Sequence, residues 1–121
     1  MIRLIIASIP AWAILAVAFL FLTDPALAAT CGKASFYGEA HHGKLMRNGK
    51  PFNMHAMTAA SNTLPLGSKA RVTHGKKSVV VTITDTGAFH RYGRIIDLSM
   101  GSFAKLASTR KGVISVCVER L

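Results

Sequence analysis

Residues Val79–Ser99 read V-V-V-T-I-T-D-T-G-A-F-H-R-Y-G-R-I-I-D-L-S and contain two of the chain's five carboxylates, Asp85 and Asp97. The β-branched run before Asp85 favours a strand, because such side chains pack well on a pleated, half-buried surface. Asp85-Thr86-Gly87 is made of turn residues and ends that strand. A second apolar run, Ile95-Ile96, is closed by Asp97. We therefore predict two strand-end acids around a tight loop, an arrangement that suits an active site.

The first 28 residues of the chain have the pattern of an export signal, and we exclude them from the predicted fold. A positive start at Arg3 precedes an almost wholly apolar run over 4–22. Ala26-Leu27-Ala28 then places small residues at the two positions that a signal peptidase reads. We predict cleavage after Ala28, one mature domain over 29–121, and a periplasmic or secreted location. An uncleaved membrane anchor or a lipid on Cys31 is the alternative.

The two cysteines of the chain, Cys31 and Cys117, lie at opposite ends of the mature domain. Because the count is even and the chain is predicted to be exported, we predict a disulfide between them. A bridge that closes so long a loop stabilises by about 4–5 kcal/mol in the chain-entropy model. Such a contribution matters for a small domain with a modest core.

The predicted mature chain is strongly basic, with fourteen Lys and Arg against four acids. In a cytosolic protein this balance would favour nucleic acid, but export and the scattered basic residues argue against it. The charge favours an anionic extracytoplasmic polymer, a cell wall or an acidic membrane surface, with a generic solubilising surface as the alternative. The five histidines lack the ligand spacing of a metal site, so we expect no metal and no cofactor.

The mature chain predicts short strands, one long loop and one helix, which together favour a small β-barrel. Strands are expected at 33–38, 55–60, 69–74, 78–84, around 95–96 and at 113–118, and the loop at 39–53. Ser99 predicts the N-cap of a helix from Met100 to about Ala107. Its expected apolar face consists of Met100, Phe103, Ala104, Leu106 and Ala107.

Several motifs of the mature chain resemble the rare lipoprotein A family and occur in that family's order. They are G-K-A-S-F-Y-G at 32–38, M-T-A-A at 57–60, T-L-P-L-G at 63–67, R-V-T at 71–73, S-V-V-V at 78–81 and G-R-I-I-D-L-S at 93–99. The resemblance implies a mainly β fold, a six-stranded double-psi β-barrel like those of expansins and barwin, with one short helix. It also implies a monomeric peptidoglycan lytic transglycosylase that acts especially on peptide-free glycan strands, with septal or cell-wall proteins as further partners.

Two segments that carry acids in this family depart from the usual pattern. Asp85-Thr86-Gly87 is similar to the Asp-Thr-Gly of another barrel-type murein transglycosylase, whereas the rare lipoprotein A version reads Asn-Asp-Arg-Gly-Pro-Phe. Residues 47–54 match a family segment that usually carries a Glu implicated in activity where this chain has Lys50. Glu39 lies in the same long loop and is the candidate substitute. An alternative function is therefore a non-catalytic wall-binding or wall-loosening barrel, and a third is an interaction or inhibitor module.

A lytic transglycosylase needs one carboxyl that protonates the leaving oxygen and then accepts the proton of the attacking 6-hydroxyl. We predict Asp85 for this role, with its pKa raised by apolar neighbours, and Asp97 as its support. Alternatively, Asp85 caps its own turn, and Asp97 is a structural partner of Arg94 or of the helix N-terminus. Substrate contacts are predicted for Tyr37, Glu39, Lys50, Phe52, Thr86, Tyr92 and Arg94. The aromatic rings among them are expected to stack on sugars, with core packing or plain exposure as the alternative for each ring.

Overall fold

The computed structural model describes residues 28–87 and 93–121 as a closed barrel of six strands with one α-helix, α1. The elements are β1 (Thr30–Tyr37), β2 (Thr58–Ala60), β3 (Lys69–His74), β4 (Lys77–Asp85), β5 (Arg94–Ser99), α1 (Met100–Leu106) and β6 (Ile114–Arg120). Their order around the barrel is β1-β5-β2-β4-β3-β6. β1–β5 and β2–β4 run parallel and the other neighbours antiparallel. The prediction of a six-stranded, mainly β barrel is confirmed.

The hairpin of β3 and β4 follows directly from the sequence. Alternating apolar residues place Ala70 and Val72 inside the barrel, opposite Val81 and Val79 of β4. Gly75 has a φ of 59°, a left-handed conformation that glycine adopts without strain, so two residues suffice to reverse the chain. Strand β4 continues past the buried Ile83 and ends at Asp85.

Helix α1 packs against the barrel with a face that differs from the predicted one. Ser99 is the N-cap, as predicted, and its hydroxyl accepts a bond of 3.1 Å from the Ser102 N–H. Phe103 is buried, with its ring 4.7 Å from that of Phe36. Ala104 is exposed, so its predicted place in the apolar face is wrong. Ser102 is buried instead, because its hydroxyl bonds to Ser99 Oγ at 2.7 Å and to the Thr58 carbonyl at 3.3 Å.

Several strand limits differ from those predicted, because pairing with neighbours extends or shortens a strand beyond its apolar run. β1 begins at Thr30 since it pairs with β6, whereas β2 is limited to Thr58–Ala60. Asp97 lies inside β5, which continues to Ser99, so its expected place at a strand end is wrong.

The predicted disulfide is confirmed between Cys31 and Cys117. These residues face each other across β1 and β6, with their Cα atoms 4.0 Å apart.

The predicted export signal falls almost wholly on residues 1–27, outside the described part of the chain. Within residues 28–87 and 93–121, no helix is long and apolar enough to cross a membrane.

Candidate active site

The two acids singled out by the sequence come together at one end of the barrel. Asp85 of β4 pairs with Ala60 of β2, and Asp97 of β5 pairs with Ala60 from the other side. Two strand spacings place their Cα atoms roughly 9–10 Å apart. Both acids line one groove with a volume of about 370 Å³, together with Tyr37, His41, Lys44, Leu45, Met46, Phe52, Thr86, Gly87 and Arg94. The juxtaposition arises from the crossed strand order, because β2 lies between β4 and β5.

Asp85 is held by backbone donors from two sides. Its Oδ1 accepts a bond of 2.9 Å from the Thr86 N–H and another of 2.9 Å from the Arg47 N–H. The first of these is the turn cap considered in the sequence analysis. The second ties the acid to the long loop. No hydrogen bond from the described residues reaches Oδ2, which leaves one oxygen of this carboxyl for a ligand.

Asn62 fixes the turn that follows Asp85, a role that sequence reasoning missed. The Gly87 N–H donates to Asn62 Oδ1 at 3.0 Å, and Asn62 Nδ2 donates to the Gly87 carbonyl. The Ser61 N–H also donates to the Asp85 carbonyl at 3.0 Å. The available signal was an Asn beside a turn, but its partner lies 25 residues away and only the fold brings the two together.

Asp97 stands in a buried polar chain that begins at Arg94. Arg94 Nη1 donates to Ser35 Oγ at 2.9 Å, and Ser35 Oγ donates to Asp97 Oδ1 at 2.8 Å. Burial raises the pKa of Asp97, and this effect outweighs the opposing influence of the Ser35 bond and of the charges on Arg94 and His41. The negative charge of Asp85 raises the pKa further. Burial thus makes ionisation of Asp97 harder than that of a free aspartate.

Tyr37 lines the groove, and the negative charges of Asp85 and Asp97 affect its pKa. Its ring stacks on Phe52, with centroids 4.3 Å apart, and meets the edge of His41 at 5.8 Å. Its hydroxyl is buried without a hydrogen-bond partner among the described residues. Burial has the largest effect on the pKa of Tyr37 and raises it, and the negative charges of Asp85 and Asp97 raise it further. The nearby Thr84 hydroxyl acts in the opposite direction, although it is not in hydrogen-bonding geometry with the Tyr37 hydroxyl. The phenol thus remains a neutral donor.

One wall of the groove is a hairpin-like turn of the long loop, which we call the 43–52 hairpin. It is closed by the bond of 2.8 Å from the Gly43 N–H to the Phe52 carbonyl and by a bridge between Leu45 and Pro51. Its tip rests on β4, since the Asn48 N–H donates to the Thr84 carbonyl at 3.2 Å. One side of this hairpin faces Asp85, and the other faces away from the groove.

The structure separates the predicted contact residues into two groups. Tyr37, Thr86 and Arg94 line the groove. Phe52 also borders it, but it is only 2% exposed and stacks on Tyr37, which agrees with core packing, the alternative to stacking on a sugar.

Three other predicted residues lie elsewhere. Glu39 is exposed on the one-turn 3-10 helix Glu39–His41 and is not among the described residues that line the groove of the two acids. Lys50 lines a second cavity on the far side of the 43–52 hairpin. Tyr92, like the neighbouring Phe89, falls outside the described residues.

In the described part of the chain, no three His, Cys, Asp or Glu side chains lie close enough together to hold a metal ion. The groove offers two carboxyls, one neutral phenol and the cations Lys44 and Arg94. This set of groups is suited to proton transfer and to the binding of a polar, partly anionic ligand.

Comparison with known proteins places the chain in a family. A family model described as lytic transglycolase matches residues 29–118. The chain belongs to this lytic transglycolase family. It is 46% identical over 90 residues to the endolytic peptidoglycan transglycosylase RlpA of Vibrio cholerae, a match that covers 73% of this chain and 34% of the relative. The Pseudomonas aeruginosa protein of the same name is 43% identical over 90 residues, covering 73% of this chain and 26% of the relative. The resemblance to rare lipoprotein A is thus confirmed.

The chain spans about a quarter to a third of the length of these two curated family members. An uncharacterized Synechocystis protein, by contrast, is 43% identical over 90 residues that make up 94% of its own length and 73% of this chain. The barrel therefore occurs both inside longer family members and nearly alone.

Solved structures confirm the fold. A Streptomyces papain inhibitor is similar with a TM-score of 0.67 at 23% identity, over 82% of this chain and 99% of the inhibitor. A Clavibacter michiganensis expansin mutant, crystallised in complex with cellohexaose, is similar with a TM-score of 0.63 at 20% identity. That match covers 78% of this chain and 50% of the expansin. At these identities the likeness concerns the barrel alone.

Proposed function

We propose that this protein is a peptidoglycan lytic transglycosylase that cleaves the bond between N-acetylmuramic acid and N-acetylglucosamine. The observation that carries the proposal is the placement of Asp85 and Asp97 on either side of Ala60 in one groove. Family membership and the names of the relatives support it. The chemical properties of the groove residues then indicate the role of each residue in the reaction.

The reaction requires one protonated acid and one proton acceptor at the glycosidic bond. The muramyl 6-hydroxyl attacks the anomeric carbon, the bond to the leaving oxygen breaks, and a 1,6-anhydro ring forms without water. Asp97 lines the groove and burial raises its pKa, so we assign it as the donor to the leaving oxygen. Asp85 accepts the proton of the 6-hydroxyl through Oδ2. Exchange with solvent then restores both groups.

This assignment differs from the expectation that Asp85 alone transfers the proton. The reason is burial, which raises the pKa of Asp97 inside β5. Asp85 lies at the strand end and accepts two backbone N–H bonds on a single oxygen. A carboxylate fixed in this way also stabilises positive charge that develops on the sugar ring.

The other groups of the groove suit a muramyl substrate. Lys44 and Arg94 border the groove and provide cations for the lactyl carboxylates of glycan strands. The buried Tyr37 hydroxyl offers a donor that no described protein group uses. A sugar hydroxyl or acetamido carbonyl would satisfy this donor, and the bond would favour a bound glycan over an empty groove.

A second candidate function is a non-catalytic barrel that binds or loosens the cell wall. The observation that favours it is Lys50, which replaces the Glu usual in the rare lipoprotein A family and lies outside the groove of the two acids. In this case Asp85 and Asp97 would bind sugar hydroxyls without transferring a proton.

Digestion of purified, peptide-free glycan strands distinguishes the two functions. We expect the wild-type mature chain to produce 1,6-anhydromuramyl ends that are detected by mass spectrometry. Asp97→Asn and Asp85→Asn should each lower the rate by about 100- to 10,000-fold, the usual contribution of a positioned acid or base. Glu119→Gln is the matched control, because this carboxylate pairs with Arg71 at 2.8 Å on the surface of the barrel.

Absence of anhydro products from wild type, combined with retention of the protein on insoluble peptidoglycan, would establish the binding function instead. Unchanged rates in both Asp variants would refute the proposed site even if products formed. We further propose export through the segment that ends at Ala28. Fractionation of expressing cells, with N-terminal sequencing of the mature protein, tests this step.

A further inference from the structure

One end of the barrel carries a cluster of basic side chains that the groove does not use. It lies where β3 ends and β6 begins, because these two strands are antiparallel and Thr73 pairs with Cys117. The turn between β3 and β4 and the one-turn 3-10 helix Thr109–Lys111, which leads into β6, both lie at this end. We call it the basic end and define it by Lys33, His74, Lys76, Lys77, Arg110 and Lys111. All of these residues are exposed except His74, which is half-buried.

Ser115 connects the strands of the basic end through its hydroxyl and its backbone carbonyl. Lys33 faces Ser115 across β1 and β6, and Lys33 Nζ donates to Ser115 Oγ at 3.0 Å. His74 Nδ1 donates to the Ser115 carbonyl at 2.7 Å, since a carbonyl oxygen can only accept. Lys77 pairs with His74 across β3 and β4. The basic end therefore spans four neighbouring strands, β1, β6, β3 and β4, or about 14 Å around the barrel.

The positive charge of the basic end is not neutralised within the described part of the chain. Of the four described side-chain carboxylates, Asp85 and Asp97 line the groove, and Glu119 pairs with Arg71 at 2.8 Å. The fourth, Glu39, follows the end of β1. Five cations thus lie at this end without a described acid to pair with, which favours an anionic partner.

The basic end and the groove are separate surfaces. Lys77 is the first residue of β4 and Asp85 is the last, so eight residue steps, or about 26 Å along the strand, lie between them. None of the residues that define the basic end lines the groove. A partner bound at the basic end therefore leaves the groove open to a glycan strand.

Two features distinguish the kind of anionic partner. The cations come from four separate elements and form a two-dimensional array, which matches the phosphates of a lipid surface better than the single line of charges on one polymer chain. Val113, next to the 3-10 helix, is 48% exposed although it is apolar. An apolar side chain among cations gains from contact with the boundary between headgroups and acyl chains, which a phosphate polymer does not provide.

We propose that the basic end docks the protein on a membrane surface rich in anionic phospholipid. Of the anionic partners that the composition favours, this is the acidic membrane surface. With the basic end on the lipid, Asp85 lies at the far end of β4 from the membrane. The inference does not rest on the transglycosylase function, because the two surfaces share no residue.

Co-sedimentation of the mature chain with vesicles of phosphatidylglycerol and phosphatidylcholine in equal parts tests the proposal without any glycan. We expect binding at about 0.1 M salt, loss of binding at about 1 M salt, and no binding to pure phosphatidylcholine. Lys76→Gln/Lys77→Gln should weaken binding about 25-fold, since each cation near an anionic surface contributes about fivefold. Val113→Thr keeps the shape of the side chain and should weaken binding about fourfold.

Lys69→Gln/Arg120→Gln is the matched control, because it removes the same charge from the same two strands. Lys69 is the first residue of β3 and Arg120 the last of β6, and both are exposed at the ends remote from the basic end. We expect this variant to bind within about twofold of wild type, since charges beyond a Debye length are screened. Circular dichroism and thermal unfolding should be the same for all of these variants and the wild type.

Equal weakening in the two double variants would show that net charge alone governs binding and would overturn the proposal. Equal binding to vesicles with and without phosphatidylglycerol would overturn it as well. Retention on insoluble peptidoglycan that depends on Lys76 and Lys77, without binding to vesicles, would assign the basic end to a wall polymer and refute membrane docking. Unchanged binding of Val113→Thr would contradict the assignment to a lipid bilayer.

Discussion

Removal of the Cys31–Cys117 bridge is expected to cost the protein a large part of its stability. The bridge joins residues separated by 86 positions. In the chain-entropy model, a closed loop of that length removes about 15 cal/mol/K from the denatured state, or about 4.6 kcal/mol at 25 °C. A domain of this size is typically stable by about 5–14 kcal/mol. The variant with both cysteines replaced by serine should therefore retain about 0–9 kcal/mol.

Urea unfolding followed by far-UV circular dichroism measures this loss in the mature chain. We expect the free energy of unfolding to fall by about 4–5 kcal/mol in Cys31→Ser/Cys117→Ser. The wild-type protein under reducing conditions should lose a similar amount. Ser115→Ala is the control, because this serine lies on β6 beside the bridge and accepts an exposed bond of 3.0 Å from Lys33. A loss below about 1 kcal/mol in both the variant and the reduced protein would refute the loop-entropy account.

Four further predictions concern the groove. Burial raises the pKa of Asp97, so its ionised form costs stability: the free energy of unfolding should fall as the pH rises from the ordinary aspartate pKa through the raised one. Asp97→Asn should remove that fall and stabilise the neutral-pH protein, as measured by urea unfolding from acid to neutral pH. Ser35→Ala removes a bond that lowers the pKa of Asp97, so the limb of the pH–rate profile that reports loss of its proton should move to higher pH. Tyr37→Phe should lower kcat/KM by about 5- to 30-fold while leaving the free energy of unfolding unchanged or increased, since a buried unpaired hydroxyl is lost. Asn62→Ala should lower the free energy of unfolding by about 1–3 kcal/mol, because two backbone groups of Gly87 lose their partner, and should slow cleavage more than Ser68→Ala does.

Local sequence patterns predicted the elements but not the contacts that distinguish the two acids. The alternation over Lys69–His74 predicted β3 correctly, and the turn chemistry at Asp85 predicted the end of β4 to within one residue, because both depend on neighbouring residues. The environment of Asp97 depends instead on Ser35, which is 62 residues away and becomes a neighbour only through parallel pairing of β1 with β5. No local pattern indicates such a partner.

The same limit explains the position of Lys50. The match of residues 47–54 to a family segment predicted that Lys50 contacts the substrate. The direction in which a side chain leaves a hairpin depends on the closing bonds, here between Met46 and Lys50 at 2.8 Å. These bonds turn Lys50 to the far side, where it lines a separate cavity.

The raised pKa of Asp97 supports the proposed role of this residue as a proton donor. A structural carboxylate gains more from its partners than it loses through burial, and its pKa falls. For Asp97 the balance is reversed, since burial outweighs both Ser35 and Arg94. The barrel thus carries a destabilising group at the centre of its groove, in the way expected of a proton donor. Asp85 is placed differently, because one of its two donors, the Arg47 N–H, belongs to the 43–52 hairpin. A ligand that displaces this hairpin would therefore remove a hydrogen bond from Asp85 and leave the bond between Ser35 and Asp97 in place.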